Sequence, residues 1–271
     1  YSPDVMIPTF LSVYSGRSAE TSALTLFPSM LSMLPNWKIT YGGLGKLAFF
    51  QKYFKSVNIN HAYKSVYSVG SFGTYSSFLG TGIGELGFVD DVISGSPIPS
   101  TMFDISSVTI SEQFSPLIGV DVTTPGNLTA KLEYKKSRNM NLSMTAVQLV
   151  ETASDDIVVG AGYKIVGLEL FGAGHSTAPA KNKVSNDMNL RLDVSYRDQS
   201  ALCRNIQDLT TQATSGNKAV KVSLSADYAY SKMLTLNAYF DHQTNIPVVS
   251  ASAYPTSTND FGVSLKFSLT K

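Results

Sequence analysis

Three histidines, one cysteine and two adjacent-carboxylate pairs are the side chains with which this chain would do chemistry. His61, His175 and His242 stand far apart, without the HxxH or HExxH spacing that brings two imidazoles onto one metal. Asp90-Asp91 and Asp155-Asp156 invite acid–base work or calcium binding. Neighbouring strand residues point to opposite faces, however, so solvated charges are the expectation. The stretch Gly80-Thr81-Gly82-Ile83-Gly84-Glu85-Leu86-Gly87 has the glycine content of a phosphate loop. That role needs a strand before it and a helix N-terminus after it, and no helical pattern follows. Cys203, the one cysteine, excludes an intrachain disulfide, and no Ser, His and Asp set falls in a hydrolase motif. The chain reads as a non-enzyme, with no cofactor and no metal site.

The remaining charges are arranged by period two, the strand period, in which alternate side chains share a face. Met188, Leu190, Leu192, Val194 and Tyr196 interleave with Asn189, Arg191, Asp193, Ser195 and Arg197. Val220, Val222, Leu224, Ala226 and Tyr228 interleave with Lys221, Ser223, Ser225 and Asp227, and Phe261, Val263, Leu265 and Phe267 with Gly262, Ser264 and Lys266. From 128 to 144 the even positions stay largely apolar past Lys136 and Arg138, which predicts one strand of about 20 residues, twice a bilayer crossing. Predicted strands lie at 36–42, 57–72, 105–122, 127–149, 155–167, 187–197, 218–230, 233–243 and 260–270, which makes about nine.

Links at Ser231-Lys232 and Thr123-Thr124-Pro125 are tight, whereas 73–104, 198–217 and 244–258 are long and rich in Gly, Ser, Thr, Asn and Pro. Short turns on one side and long loops on the other are the habit of outer-membrane barrels. Two links depart from it: 150–154 is short where a long loop is due, and 168–186 is long where a turn is due. Residues 1–56 read differently, with short helical groupings at 8–14, 28–34 and 44–54. They are expected to face the lumen or the periplasmic rim, with 57–271 forming the wall.

Composition agrees with a membrane-facing β protein. Only 15% of the 271 residues are charged and the net charge is +1, which leaves no strong field for nucleic acid. No apolar run approaches the ~18–20 residues of a spanning helix. The chain opens Tyr1-Ser2-Pro3-Asp4, without a signal sequence, so a piece of something longer is expected. Its last residues, Phe267-Ser268-Leu269-Thr270-Lys271, resemble a closing barrel strand, with Lys271 in place of the usual aromatic.

Several segments in linked order resemble the C-terminal part of the SprA/Sov family. They are Met33-Leu34-Pro35-Asn36-Trp37-Lys38-Ile39-Thr40-Tyr41, Val57-Asn58-Ile59-Asn60-His61-Ala62-Tyr63, Ile110-Ser111-Glu112-Gln113-Phe114-Ser115-Pro116-Leu117-Ile118-Gly119-Val120 and Leu132-Glu133-Tyr134-Lys135-Lys136-Ser137-Arg138-Asn139. The resemblance runs from about Asp4 to the end and is weakest at 73–104 and 168–186. It implies the outer-membrane translocon of the type 9 secretion system of Bacteroidota, a system tied to gliding motility. This is a very large single-chain barrel exporting folded cargo proteins that carry a C-terminal sorting signal. Its implied partners are the remainder of the barrel, a PorV-type outer-membrane barrel, a periplasmic plug protein, the cargo and outer-membrane lipid. The family brings no catalytic or ligand-binding residues.

The expectation is therefore an all-β section, about nine antiparallel strands, of a very large transmembrane outer-membrane β-barrel. Lys131, Glu133, Lys135, Arg191, Asp193, Arg197, Lys221, Asp227 and Lys266 would face a water-filled lumen. Leu190, Leu192, Val194, Val222, Leu224, Val263, Leu265 and Phe267 would face lipid. Two other readings stay open. One is a self-contained barrel of 8–10 strands acting as porin or adhesin. The other is a secreted β-sandwich that binds a ligand such as a glycan, although strands this long would expose much oily surface to water.

Overall fold

The computed structural model describes residues 2–15, 35–82, 86–168, 186–231, 233–249 and 253–268. The strands in chain order are β1 (Trp37–Tyr41), β2 (Ser56–Thr74), β3 (Leu79–Gly80), β4 (Leu86–Asp90), β5 (Pro97–Thr101), β6 (Phe103–Thr123), β7 (Leu128–Ser143), β8 (Gln148–Ile165), β9 (Met188–Asn205), β10 (Thr210–Ala229), β11 (Leu234–Pro247) and β12 (Thr256–Phe267). Nine of them form one antiparallel sheet in the order β1-β2-β6-β7-β8-β9-β10-β11-β12. All nine strands anticipated from periodicity are present. Among the described residues the sheet is open, with β1 and β12 as its edges. No described helix is long and apolar enough to cross a membrane.

Several expectations about connections are corrected. The strand at 127–149 ends at Ser143, and a turn at 144–147 leads straight into β8. Ser143 Oγ accepts the Ala146 N–H at 3.2 Å, and Val147 completes the turn at φ +48°. The supposed loop 198–217 is the upper part of a hairpin, with arms reaching Asn205 and Thr210. Asn205 Oδ1 accepts the N–H groups of Gln207 and Asp208 at 2.9 and 3.1 Å, and Leu209 closes the turn at φ +54°. The 73–104 connection carries a three-stranded sheet, β3-β4-β5. Its β4–β5 turn is tied by Asp91, whose carboxylate accepts the Ser94 hydroxyl at 2.7 Å and the Ile93 and Ser94 N–H groups. These three donors, the hydroxyl foremost, hold Asp91 below the usual carboxylate range.

Helix α1 (Pro3–Ser15) starts five residues before the predicted grouping at 8–14. Ser2 caps it, its Oγ accepting the Asp4 N–H at 3.3 Å, Pro3 takes the first helical position, where no N–H is needed, and Asp4 suits the positive end. The grouping at 44–54 resolves into a 3-10 turn, Gly43–Lys46, and a four-residue helix α2 (Ala48–Gln51). The grouping at 28–34 and most of 168–186 lie outside the described residues.

The buried cluster sits at one end of the sheet. Ile7 of α1, Ile105, Val108 and Leu142 are at most 2% exposed, with Met6, Phe10, Leu11, Tyr67, Val69 and Leu149 packed around them. The register puts Val69, Val108, Leu142 and Leu149 on one face, so α1 lies on that face, the one that carries the apolar stripes. The apolar excess of Met6-Ile7 and Phe10-Leu11 requires burial against oil rather than against the charged face.

Candidate functional site: the two faces of the sheet

Pairing fixes which side chains share a side, because directly opposed residues project to the same face. One face carries the charges. Lys135 lies opposite Asp156, which lies opposite Arg197, and Lys131 lies opposite Gly160, which lies opposite Asp193. Glu133, Arg191, Lys221, Asp227 and Lys266 fall on the same side by the same ladders. The arrangement is mixed in sign and internally paired. Arg197 donates two bonds to Asp156, at 2.8 and 3.1 Å. Lys131 and Lys135 flank Glu133 at 2.9 and 3.0 Å, Lys221 meets Asp241 at 3.0 Å, and Asn237 donates to Asp227 at 2.6 Å.

Glycines shape this face locally. At Gly160 and Gly162 the absent side chains leave room for the Asp193 carboxylate and the Thr129 hydroxyl, whose oxygens lie 2.5 Å from where a Cβ would stand. A shallow depression of about 470 Å3 results, walled by Asp121, Lys131, Arg191 and Asp193. Its balanced charges suit hydrated surface better than selection of one ion.

The opposite face carries the oil. Leu132, Val159, Val194 and Val222 form one row across β7–β10, and Leu192, Leu224, Phe240 and Phe261 another across β9–β12. Leu190, Val263, Leu265 and Phe267 complete it toward the end with the tight β6–β7 and β10–β11 links. Leu132, Val159, Leu192 and Leu224 are mid-sheet yet 41–49% exposed, and Val263 and Leu265 are about 70% exposed (71% and 69%). Among the described residues no second sheet covers these rows, and α1 covers only the far end.

The oily rows are bounded in height. On β9 they occupy 188–196, about 26 Å of strand at ~3.3 Å per residue and roughly 20 Å of height at a ~40° tilt. Aromatic residues mark both limits: Tyr134 and Tyr196 at one, with Trp37, Tyr63 and Phe114 in the row of Lys136 just beyond, and Tyr163, Tyr228 and Phe267 at the other. Trp37 stacks on Tyr63 with centroids 4.5 Å apart, and Tyr63 sits 4.8 Å from Phe114. Beyond the first limit the same face turns ionic. Lys136 pairs with Asp155 at 3.7 Å, Arg138 and Arg204 share Glu151 at 2.8 and 3.1 Å, and Lys218 meets Asp198 at 3.5 Å. Sequence reading noticed Lys136 and Arg138 on the apolar parity but missed the belt they join. The legible signal was a charge on that parity at equal height in four adjacent strands.

On the β2–β6 side the belt gives way to a covered carboxylate. Glu112 Oε1 accepts hydroxyls from Tyr14 and Tyr63, each at 2.8 Å, and Tyr14 also lies 3.2 Å from Ser65 Oγ. Burial pushes the Tyr14 phenol up, and Glu112 adds to the shift in the same direction.

The residues first suspected of chemistry stay apart. Asp155 and Asp156 point to opposite faces, the first toward the Tyr134 hydroxyl at 2.8 Å, the second toward Arg197. His61 Nδ1 donates to the Leu117 carbonyl at 2.6 Å, and His242 Nδ1 lies 2.7 Å from Asn259 Oδ1. His175 is outside the described residues. Gly80 ends β3 and Leu86 starts β4, so the glycine run joins two strands rather than opening a helix. Cys203 Sγ lies 3.5 Å from Gln148 Oε1. Among the described residues no three His, Cys, Asp or Glu side chains gather as metal ligands. No protein-family model matches the chain, and no curated protein matches it either.

Proposed function

We propose that this chain is a section of the wall of a very large outer-membrane β-barrel, and that the barrel is the protein-conducting translocon of a type 9 secretion system. The observation that carries the wall reading is the uncovered oily band: 7–9 residues tall on each strand from β7 to β12, bounded by aromatics, with charges on the other face. A water-soluble sheet would not leave such rows open to solvent, whereas a bilayer core requires them. This is what tells against a sandwich, in which a second sheet would cover them.

The translocon reading rests on the linked segments shared with the SprA/Sov family and on the open sheet. Nine strands are enough to close a small barrel, yet β12 leaves its outer backbone edge unpaired within the described residues. An unpaired edge cannot persist in a bilayer core, so the remaining wall completes it. Under this proposal the mixed, self-paired charges line an aqueous conduit that passes varied folded cargo without binding it tightly. The chain does no chemistry on the cargo. Opening and lateral release would involve a PorV-type barrel and a periplasmic plug, with energy supplied elsewhere.

The test is the native polypeptide in outer membranes, detected by an antibody to 198–217. A species much longer than the 271 residues here, whose deletion stops export of proteins bearing the C-terminal sorting signal, is expected. A closed barrel of about this length, with export intact on deletion, would overturn the translocon and favour the porin or adhesin.

A further inference from the structure

We propose that the β3–β5 sheet and the tip of its β4–β5 hairpin form a docking surface for a partner protein, one that offers an apolar socket rimmed by Lys and Arg. This goes beyond the membrane-wall reading above and rests on it only where reach is used to exclude lipid.

Strand pairing builds the surface. Phe88 of β4 lies opposite Leu79 of β3 and Pro99 of β5, so the three form one row on one face. Asp90, two residues along β4, shares that face. Leu79 is 68% and Phe88 41% exposed, whereas Val89, which points the other way, is 7% exposed. Pro99 and Asp90 are exposed as well. Beyond them Val92 and Ile93 stand at the tip, 100% and 95% exposed. One exposed apolar side chain is ordinary, but a row that continues into a bare Val-Ile tip marks a binding surface. The tip is also held in shape. Besides the three bonds to the Asp91 carboxylate, the Asp91 N–H donates to the Ser96 carbonyl at 3.0 Å, and the Gly95 N–H to the Asp91 carbonyl at 2.7 Å. Little freedom is left to lose on docking.

Charge and reach select a protein as the occupant. From Ser65 to Ala130 the sequence contains no Lys, Arg or His, and the charged residues of 73–104 are Glu85, Asp90, Asp91 and Asp104. A purely acidic surface is complementary to Lys and Arg, and it is repelled by the phosphates of nucleic acid and of anionic lipid. The oily medium is out of reach as well. Phe103 lies about 11 residues beyond Phe114, which is level with Lys136, and Tyr134 is two residues further toward the oily rows. These 13 or so residues make about 43 Å of strand, or roughly 33 Å of height at a ~40° tilt. The five-residue arms β4 and β5 are about 17 Å long before the turn. Even a hairpin folded straight back along the wall therefore leaves its tip in water. A protein socket instead gives the tip a buried apolar centre with a charged rim, the anatomy of a stable interface.

The experiment uses the full native polypeptide in isolated outer membranes, with every native cysteine, Cys203 included, changed to Ser. A benzophenone maleimide is attached through Val92→Cys or Val222→Cys and irradiated, and the adducts are read by mass spectrometry. At Val92 a protein adduct is expected, joined to a peptide that is apolar at the link and richer in Lys and Arg than in Asp and Glu. Adding Asp90→Lys, which leaves the turn bonds of Asp91 in place, should cut its yield roughly fivefold, the effect of about one exposed ion pair, with Asp90→Asn in between. Lipid adducts at Val92, no adduct there, an acidic linked peptide, or a yield unmoved by Asp90→Lys would overturn the docking proposal. At Val222 lipid adducts are expected. Their absence beside a charge-sensitive protein adduct at Val92 would sink the wall reading and leave the docking surface standing.

Discussion

Leu192→Arg is the substitution that probes the proposed wall most directly. Leu192 is the middle residue of the oily stretch 188–196 on β9, four residues from either limit, which is about 13 Å of strand or roughly 10 Å of height. It is 41% exposed and lies opposite Ala161 and Leu224. If lipid fills the open side, Arg at this depth costs about 2–4 kcal/mol, a loss of roughly 30- to 700-fold in the folding equilibrium. At the aromatic limit, Tyr196→Arg should cost about 0–1 kcal/mol. On the charged face, Ser195→Arg should stay within about 0.5 kcal/mol, as surface changes do. Urea titration of protein in lipid vesicles, read by pulse proteolysis, gives all three values. Equal costs for Leu192→Arg and Tyr196→Arg, or a Leu192→Arg cost under about 0.5 kcal/mol, would refute a depth-dependent oily medium.

Other substitutions test the sheet itself. Gly87→Ala brings a Cβ onto the Leu79 carbonyl oxygen and the Phe78 ring, so the small β3–β5 sheet should lose about 1–3 kcal/mol of local stability by hydrogen exchange. Gly160→Ala meets the end of the Asp193 side chain instead, which can rotate away, and should be tolerated within about 1 kcal/mol. Val147→Gly relieves a β-branched residue at φ +48° and should be neutral or stabilising by about 0.5–1 kcal/mol in the same titration. Because the Asp91 pKa is lowered in the folded turn, its contribution is complete above the unfolded carboxylate pKa of about 3.9 and disappears as pH falls through the folded value. The Ser94 and Gly95 amides should therefore lose exchange protection in the pH 2–4 region and keep it at pH 6.

Much of the sheet was legible because, among the described residues, no second layer lies over the oily rows. Each strand then keeps one wet and one oily side along its length, and period two survives undiluted. Hence Leu190 to Val194 and Lys131 to Lys135 sort onto opposite faces in the ladders as they do in the sequence. The ends of the hairpins were not legible for a conformational reason. Val147 and Leu209 occupy the left-handed region that glycine or asparagine usually marks. Met144 also keeps the apolar parity of Met140 and Leu142, so the pattern runs past the true end of β7. The strands at 79–101 contain Pro97, Pro99, Gly80 and Gly87, residues that suit short, edge-like strands but read as loop. In α1 the Ser2-Pro3-Asp4 start was present in the sequence, and Pro8 drew attention from it. The ionic belt was hidden because it exists only across four strands whose register no single segment reveals.

If the sheet is a membrane wall, that belt has a mechanical consequence. Lys136, Asp155, Asp198 and Lys218 form a waterline: sinking the wall by two residues would drag them about 6–7 Å along the strand into hydrocarbon. Raising it would lift the Tyr163 and Tyr228 rim off its own interface. Under the proposed membrane-wall reading, such a barrel is trimmed to one draught. If the wall moves when cargo passes, it can rotate or part along a seam, but it cannot bob.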